Sequence, residues 1–472
     1  MTFRRVRVAP DATDLVAGFE RIRRAMHLPT EFPPDVEAEA ERAVSQPLHE
    51  ADRVDALDID FVTIDPPGSR DLDQAFHAEK SDDLYRVHYA ISDVGAFVEP
   101  GGALDRESWK RAQTLYSPDA RVSLYPPALG EGGASLLPNE TRPSILWTIE
   151  LDAAGAPQSV DVRRATVRSR RQMTYDEAQN EITTLPALAL LKEIGLARLE
   201  VQRQRGGLNL EVPEQEVHRT DNGYELRYRA PLPVEEWNAQ ISLLTGMSAA
   251  KIMLDGKIGL LRTMPPPEPE VVAGLRRHAK ALGIEWPDGA GYPEVIGKLD
   301  PAKPAEAALL TQATRLFRGA GYAAFDGQVP ELSQHHALAT AYAHVTAPLR
   351  RLADRYANEV VLALCAGTQP PQWARDALPK LPEVLKEGHR KDGELERRVV
   401  DFVEAAVLSS HVGETFQGVV VEEGTKSTTI QLDEPAVIAH CDSACGSLGE
   451  NVTVRVATAD AEAGRVRFEP AT

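Results

Sequence analysis

The sequence predicts a multidomain α+β protein, and three observations carry that prediction. At 472 residues the chain exceeds one ordinary compact domain, since domains usually run roughly 100–200 residues. Its composition, 43% hydrophobic and 26% charged, supplies a large core without departing from an ordinary globular mixture. Its hydrophobic pattern changes character twice, near residue 55 and after Gly413. The predicted organisation is a helical region over 1–55, a mixed α/β domain over 56–412 and a small five-stranded β-barrel over 413–472.

Residues 1–55 read as mostly helical. Leu15, Phe19, Ile22 and Met26 recur at close to the helical period, with Asp14 or an earlier aspartate as the N-cap. Pro29, Pro33 and Pro34 end that helix, and a second, polar helix follows over 37–43. Two short helices around a Pro-containing turn fit a helix-turn-helix. They fit a plain helical cap on the next domain better.

From Asp58 the spacing becomes β-like. Ile59, Phe61, Thr63 and Ile64 form one strand, closed by the turn signal Pro66-Pro67-Gly68. Residues 84–91 (LYRVHYAI) and 146–151 are further strands, with a helix over 104–115 between them. Arg163, Arg164, Arg168, Arg170 and Arg171 crowd one segment, which suits a solvated strand face and contact with a polyanion about equally. The stretch 175–412 is predominantly helical, with periodic segments over 236–254, 305–316, 339–364 and 394–412 and a Pro loop at 265–267. The C-terminal strands fall at 416–421, 428–432, 437–440, 452–457 and 466–468, the pattern of a Greek-key OB barrel. Such barrels commonly hold single-stranded nucleic acid.

Some classes drop out. No run approaches the roughly 18 apolar residues of a membrane span, and the basic start MTFRRVRVAPDATD has no apolar stretch behind it, so no secretory leader is expected. Cys365, Cys441 and Cys445 lack metal-site spacing and read as reduced thiols in a cytoplasmic protein. A net charge of −19 argues against a uniformly basic surface. Any polyanion would have to be met by a local field, as in an acidic exterior with a basic channel.

The chemistry concentrates in Thr63-Ile-Asp65-Pro-Pro-Gly-Ser-Arg-Asp71-Leu-Asp73-Gln74. Asp71 and Asp73, two apart in an extended segment, point to the same side. Asp65 returns across the turn, and converging carboxylates suit a hard cation such as Mg²⁺. An EF-hand is excluded, because the positions that need Gly and Glu are Phe76 and Asp82. On spacing alone a solvated acidic loop is the commoner reading. Hydrolysis of a phosphodiester would give the cluster a purpose, since metal ions and an arginine offset the charge that develops there. That arginine is Arg350, in Tyr342-Ala-His344-Val-Thr346-Ala-Pro348-Leu-Arg350-Arg351-Leu-Ala-Asp354, read as the opening of a helix with Thr346 as N-cap and Pro348 in its first turn.

These two segments together resemble the ribonuclease II (RNB) family. The family patterns TIDPxxxxDLDDA and YTHFTSPIRRYxD stand here as TIDPPGSRDLDQA and YAHVTAPLRRLAD. HYAISDVGAFVEPGGALDRE from His88, TLYSP from Thr114 and RGGLNLEVPE from Arg205 match as well, and the C-terminal barrel resembles the family's S1 domain. The resemblance implies a hydrolase that degrades RNA processively from a free 3′ end to nucleoside 5′-monophosphates and a short end product. It implies Asp65, Asp71, Asp73 and Gln74 around Mg²⁺, as two ions, with Mn²⁺ able to substitute. Asp71, Asp73 and Arg350 are then the catalytic residues. Tyr116, Tyr175, Glu236, Thr346, Arg350 and Arg351 are the RNA contacts. The expected partner is single-stranded RNA met by a monomer, with no membrane.

The departures from the pattern carry expectations of their own. Gln74 replaces a fourth family aspartate, so one ion should bind more weakly. Glu236 and Gln240 compete for one anchoring place, and Ala347 replaces a serine. The first 55 residues are too few for the two cold-shock domains many members carry, so structured RNA should be better tolerated at the entrance. His344, His335 and His336 read as packed, hydrogen-bonded histidines. Arg351 and Arg355 either line a channel or pair with Asp354, with Arg351 the one favoured for RNA. The competing functions are an RNA-binding protein with an attenuated nuclease site and a phosphodiesterase acting on small nucleotides.

Overall fold

The protein is described from a computed structural model covering residues 12–46, 52–208, 210, 214–220, 223–229, 231–300, 303–424, 427–432 and 434–471. Two helices, α1 (Ala12–Ala25) and α2 (Pro34–Ser45), precede three strands, β1 (Val54–Ile64), β2 (Gln74–Ser81) and β3 (Leu84–Ser92). Next come α3 (Ala103–Arg111), the short hairpin β4 (Leu115–Tyr116) and β5 (Arg121–Val122), and two long strands, β6 (Thr141–Leu151) and β7 (Pro157–Met173). β1, β2, β3, β6 and β7 close into a barrel in that order, with β1 parallel to β7 and the other pairs antiparallel.

Much of this barrel is buried on both faces, while alternate positions of β1 and β7 stay open to solvent. Phe76, Tyr89, Ile91 and Trp147 share one core cluster with residues of the surrounding helices. The alternating positions Ala75, Ala90, Leu146 and Ala165 gather with Phe61 and Leu72 in another. Leu72 is fully buried, so Asp71 and Asp73 on either side of it share the opposite face, as the spacing predicts.

The helical layer comprises α4 (Tyr175–Asn180), α5 (Pro186–Gln204), α6 (Pro233–Gly256), α7 (Pro269–Ala281), α8 (Tyr292–Ile296), α9 (Pro304–Ala313), α10 (Leu352–Cys365), α11 (Gln372–Ala377) and α12 (Leu381–Leu408). An antiparallel hairpin, β8 (Glu214–Thr220) with β9 (Gly223–Arg229), and an antiparallel pair that brackets α7–α9, β10 (Ile258–Thr263) with β11 (Gly321–Asp326), interrupt it. One predicted helix is corrected. Residues 339–351 are irregular, and α10 begins only at Leu352, with Arg351 rather than Thr346 at its N-cap. The backbone N–H groups of Ala347 and Leu349 go to the carboxylates of Asp354 and Asp73, so no helical carbonyl receives them.

At the C-terminal end β12 (Thr415–Glu423), β13 (Thr428–Leu432), β14 (Ile438–Cys441), β15 (Asn451–Asp460) and β16 (Arg465–Pro470) close into a second barrel in the order β12-β13-β14-β16-β15. All five predicted strands are present. The bend after β14 brings Cys441 and Cys445 together, with Cα atoms 6.5 Å apart, while Cys365 stands apart from both.

The N-terminal helices cap the rest of the protein. Phe19 of α1 meets Phe402 of α12 edge to face, with ring centroids 5.6 Å apart. Arg23 forks onto Asp119 at 2.6 and 2.7 Å. From α2, Glu39 accepts the N–H groups of Ala103 and Leu104, which caps α3. Both helices are thus docked on other elements of the protein. Asp14 lies inside α1 and is not its cap, and the earlier aspartate falls outside the described residues.

Candidate active site

The acidic loop is fixed at both ends. Asp65 leaves β1 with its N–H donating to the Met173 carbonyl at the end of β7 (3.0 Å). Gly68, at φ +80°, makes the turn, where an L side chain would be strained. Leu72 is then clamped by Ser135, whose hydroxyl accepts the Leu72 N–H at 2.9 Å, and by Leu136, whose N–H donates to the Leu72 carbonyl. Asp73 enters β2 with its carbonyl accepting from Ser92.

Arg350 meets this loop. Its Nε lies 3.5 Å from Asp73 Oδ2, and the neighbouring Leu349 N–H donates to Asp73 Oδ1 at 2.7 Å. Gln74 adds a third tie, its side-chain amide donating to the Thr346 carbonyl. Asp71 faces a different group: Tyr116 Oη donates to it at 3.1 Å, and Arg121 pairs with it while also pairing with Glu131. Arg121 and Glu131 were not singled out by the sequence. The available signal was the turn Ser117–Ala120, whose hairpin sets Tyr116 opposite Arg121.

Burial dominates the electrostatics. It pushes the Asp65 carboxyl up to about 7, a rise to which the Asp71 charge adds and which Arg350 opposes. It pushes Asp73 up to about 8 against the pull of Arg350 and the Leu349 N–H. Among the described residues, no three His, Cys, Asp or Glu side chains are arranged to hold a metal ion as they stand. The donor chemistry fits a cation nonetheless. Asp65 Oδ2 is buried with no hydrogen-bond partner, and two buried carboxyls with raised pKa values beside Asp71 need compensating positive charge to be ionised at neutral pH.

Beside the acidic loop, a cleft of about 230 Å³ is lined by Tyr116, Arg262, Tyr322, His344, Arg350 and Arg351, among others. Tyr116 is 49% exposed, open to a stacking partner. Thr346 is buried, offering its carbonyl to Gln74 and its hydroxyl to Arg351 at 3.4 Å. Arg351 both lines this cleft and pairs with Asp354, its fork held at 2.8 and 3.0 Å, whereas Arg355 is bound to Asp105. His344 is packed as expected, sharing a 2.7 Å hydrogen bond with Tyr322, and burial among Arg351, Arg262 and Arg350 holds it neutral.

The remaining predicted residues lie on α4 and α6. Tyr175 opens α4 half-buried against the main core, behind the capping box of Thr174 and Glu177. Glu236 lies half-buried in the first turn of α6, whereas Gln240 is buried and donates to Gln202. The arginine run of β7 is largely neutralised. Arg163, Arg164, Arg170 and Arg171 pair with Asp161, Asp93 and Glu359, Asp60, and Glu181 respectively, which favours the solvated-face reading over contact with a polyanion.

A barrel carrying an acidic loop that meets a distant arginine, followed by a second barrel, defines a two-module nucleic-acid enzyme class. Residues 53–367 match the RNB domain, and residues 414–471 match the RNase II-type exonuclease C-terminal S1 domain. The chain belongs to the RNB family. It is 27% identical to Ribonuclease R of Aquifex aeolicus over 95% of this chain and 69% of that protein. With Ribonuclease R of Escherichia coli it shares 26% identity over 81% of this chain and 50% of that protein. The chain thus spans about half the length of several relatives it matches. Its fold matches Mycoplasma genitalium RNase R in complex with ribose-methylated single-stranded RNA, with a TM-score of 0.87, 19% identity, and coverage of 97% of this chain and 78% of that one. The structure of yeast Ssd1, a pseudonuclease, matches with a TM-score of 0.72 and 16% identity over 96% of this chain and 58% of that one.

Proposed function

We propose that the protein is a hydrolytic exoribonuclease that removes nucleotides from the 3′ end of RNA, processively, as nucleoside 5′-monophosphates, leaving a short end product. The observation that carries this reading is the contact of Arg350 with Asp73 at 3.5 Å beside the buried, unpartnered oxygen of Asp65. A binding module gains nothing from buried carboxylates that repel phosphate, so the competing RNA-binding reading lacks a physical reason for them. Yeast Ssd1, named a pseudonuclease, shares the fold, so the site and not the fold carries the argument.

Each residue has a task in this reading. Mg²⁺, as one or two ions held by Asp65, Asp71, Asp73 and Gln74 and replaceable by Mn²⁺, supplies positive charge at the scissile phosphate when bound. Arg350, half-exposed at the cleft, takes a non-bridging phosphate oxygen. The Leu349 N–H and the Gln74 amide keep the Arg350 segment and the acidic loop in one register. Tyr116 stacks on a base near the 3′ end and steadies Asp71 through its hydroxyl. The second barrel extends the grip on single-stranded RNA.

Mycoplasma RNase R has been seen with double-stranded as well as single-stranded RNA, which supports structured RNA as a further substrate here. No helix among the described residues is long and apolar enough to cross a membrane; a cytoplasmic monomer is the working assignment. RNA labelled at its 3′ end, incubated with Mg²⁺, should yield labelled mononucleotide from the first time point. Release of oligonucleotides by internal cleavage would replace this reading with an endonuclease.

A further inference from the structure

A cavity of about 470 Å³ lies between α5, α6 and the start of β7, at the end of β7 opposite the one that holds Asp65. Arg198, Val201 and Arg205 project onto it from α5 and its C-cap, three positions of one helical stripe. Leu244, Met247, Ser248, Lys251, Ile252 and Asp255 form the facing stripe of α6. The wall is thus apolar along much of its length and cationic at one side.

The two arginines differ from Arg163, Arg164, Arg170 and Arg171 of β7, whose guanidiniums sit on carboxylates. Arg198 is 97% buried (3% exposed), yet its described contacts are the Gly155 carbonyl at 2.9 Å and the Met247 sulfur at 4.0 Å. Its Nε is buried with no hydrogen-bond partner. Arg205 spends Nε on the Leu338 carbonyl, and its Nη2 is likewise buried and unpartnered. No carboxylate pairs with either among the described residues. Asp255, the acid on the cavity wall, is held by Lys251 at 2.7 Å. Each arginine is depressed below its ordinary value by burial, Arg198 to about 10 with Arg205 adding to the fall. A buried cation, with a second half-buried one repelling it and no counter-charge, is costly in a protein interior. The turn between β6 and β7 holds Arg198 through the Gly155 carbonyl.

We propose that this cavity binds a small phosphate monoester, its phosphate between Arg198 and Arg205 and its body against Met247 and Ile252. A phosphate monoester carries between one and two negative charges at neutral pH, matching the two guanidiniums that line the cavity without a carboxylate partner among the described residues. The volume falls in the range of pockets that enclose small organic ligands, roughly 300–1,000 Å³.

The test is calorimetric titration and thermal shift of the whole protein with inorganic phosphate, adenosine 5′-monophosphate and adenosine, at constant ionic strength. Phosphate and the monophosphate should bind and raise the melting temperature, the monophosphate more strongly, and adenosine should do neither. Made in the Arg350→Ala protein, Arg198→Met should abolish the remaining response without lowering the unliganded melting temperature, because it removes an uncompensated charge. Arg205→Gln, at a half-exposed position, should weaken binding at least tenfold and serves if the first variant does not fold. Arg350→Ala, which removes the phosphate contact of the candidate active site, should leave the part of the response that depends on Arg198 and Arg205, which separates this cavity from that site. A response lost in Arg350→Ala but kept in Arg205→Gln would overturn the proposal, as would no binding of phosphate or the monophosphate.

Discussion

Leu349 donates its backbone N–H to Asp73 Oδ1 at 2.7 Å, joining residues 276 positions apart in the chain. That bond sets the next residue, Arg350, against the same carboxylate. The segment that delivers it is irregular because the Asp73 and Asp354 side chains take the N–H groups a helix would have used. The site is therefore built by loop-to-loop hydrogen bonding across the mouth of the first barrel.

Arg350→Ala should leave the fold intact and reduce turnover by about 10²–10³-fold, the usual loss for one charged donor at a phosphate or oxyanion. Arg350→Lys should recover only part of it, since a single ammonium cannot reproduce the planar fork. Single-turnover rates on a short oligoribonucleotide measure this. Equal activity of the alanine variant and wild type would remove Arg350 from the chemistry.

Tyr116 has two separable functions. Tyr116→Ala should raise KM for RNA by tenfold or more, because stacking is worth about 1–3 kcal/mol per base. Tyr116→Phe should keep KM near wild type and lower kcat, since only the hydrogen bond to Asp71 is lost. If the two variants behaved alike, the ring would not be a stacking platform.

Gln74 ties β2 to the Thr346 carbonyl, a contact that spacing could not reveal. Gln74→Asp should therefore do two things at once. It should lower stability by about 1–3 kcal/mol, because a carboxylate has no N–H to donate, and it should lower the Mg²⁺ concentration needed for half-maximal activity. Denaturant unfolding and a Mg²⁺ titration read these independently; an unchanged Mg²⁺ requirement would remove Gln74 from the ion site.

A pH effect should arise away from the active site. Glu404 of α12 accepts the Ile438 N–H at 2.8 Å and the Gln215 amide at 2.7 Å, and burial pushes its carboxyl up to about 7. The folded state therefore holds the Glu404 proton more tightly than the unfolded chain. The group costs nothing below its unfolded value of 4.5 and destabilises progressively as pH rises toward 7, by up to about 3 kcal/mol. Glu404→Gln keeps an acceptor oxygen without the charge, so it should melt several degrees higher than wild type at pH 8 and no higher near pH 4.5. A melting difference independent of pH would show that Glu404 stays ionised.

Much of this site was legible from residue order. The alternation around Leu72 put Asp71 and Asp73 on one side, and the two family-like motifs paired the acidic loop with Arg350. The C-terminal strands were readable because turn residues bound each one. What the sequence hid was chosen by tertiary partners. Pro348 and Thr346 have the local form of a helix start, but the N–H groups beside them are captured by side chains from elsewhere. The β7 arginines look like a polyanion contact until the carboxylates beside them appear, several from distant segments: Asp60, Asp93 and Glu359. Arg121 was silent because its importance lies in touching Asp71 and Glu131 together.

Polarity of degradation tests the central claim most directly. A single-stranded RNA carrying distinct labels at its two ends, incubated with the protein and Mg²⁺, should lose its 3′ label immediately as a nucleoside 5′-monophosphate. The 5′ label should remain on one long species and reach short products late, and Asp73→Asn, with its fold checked by circular dichroism, should abolish both. Mononucleotide appearing first from the 5′ end, or undiminished release by Asp73→Asn, would contradict the account.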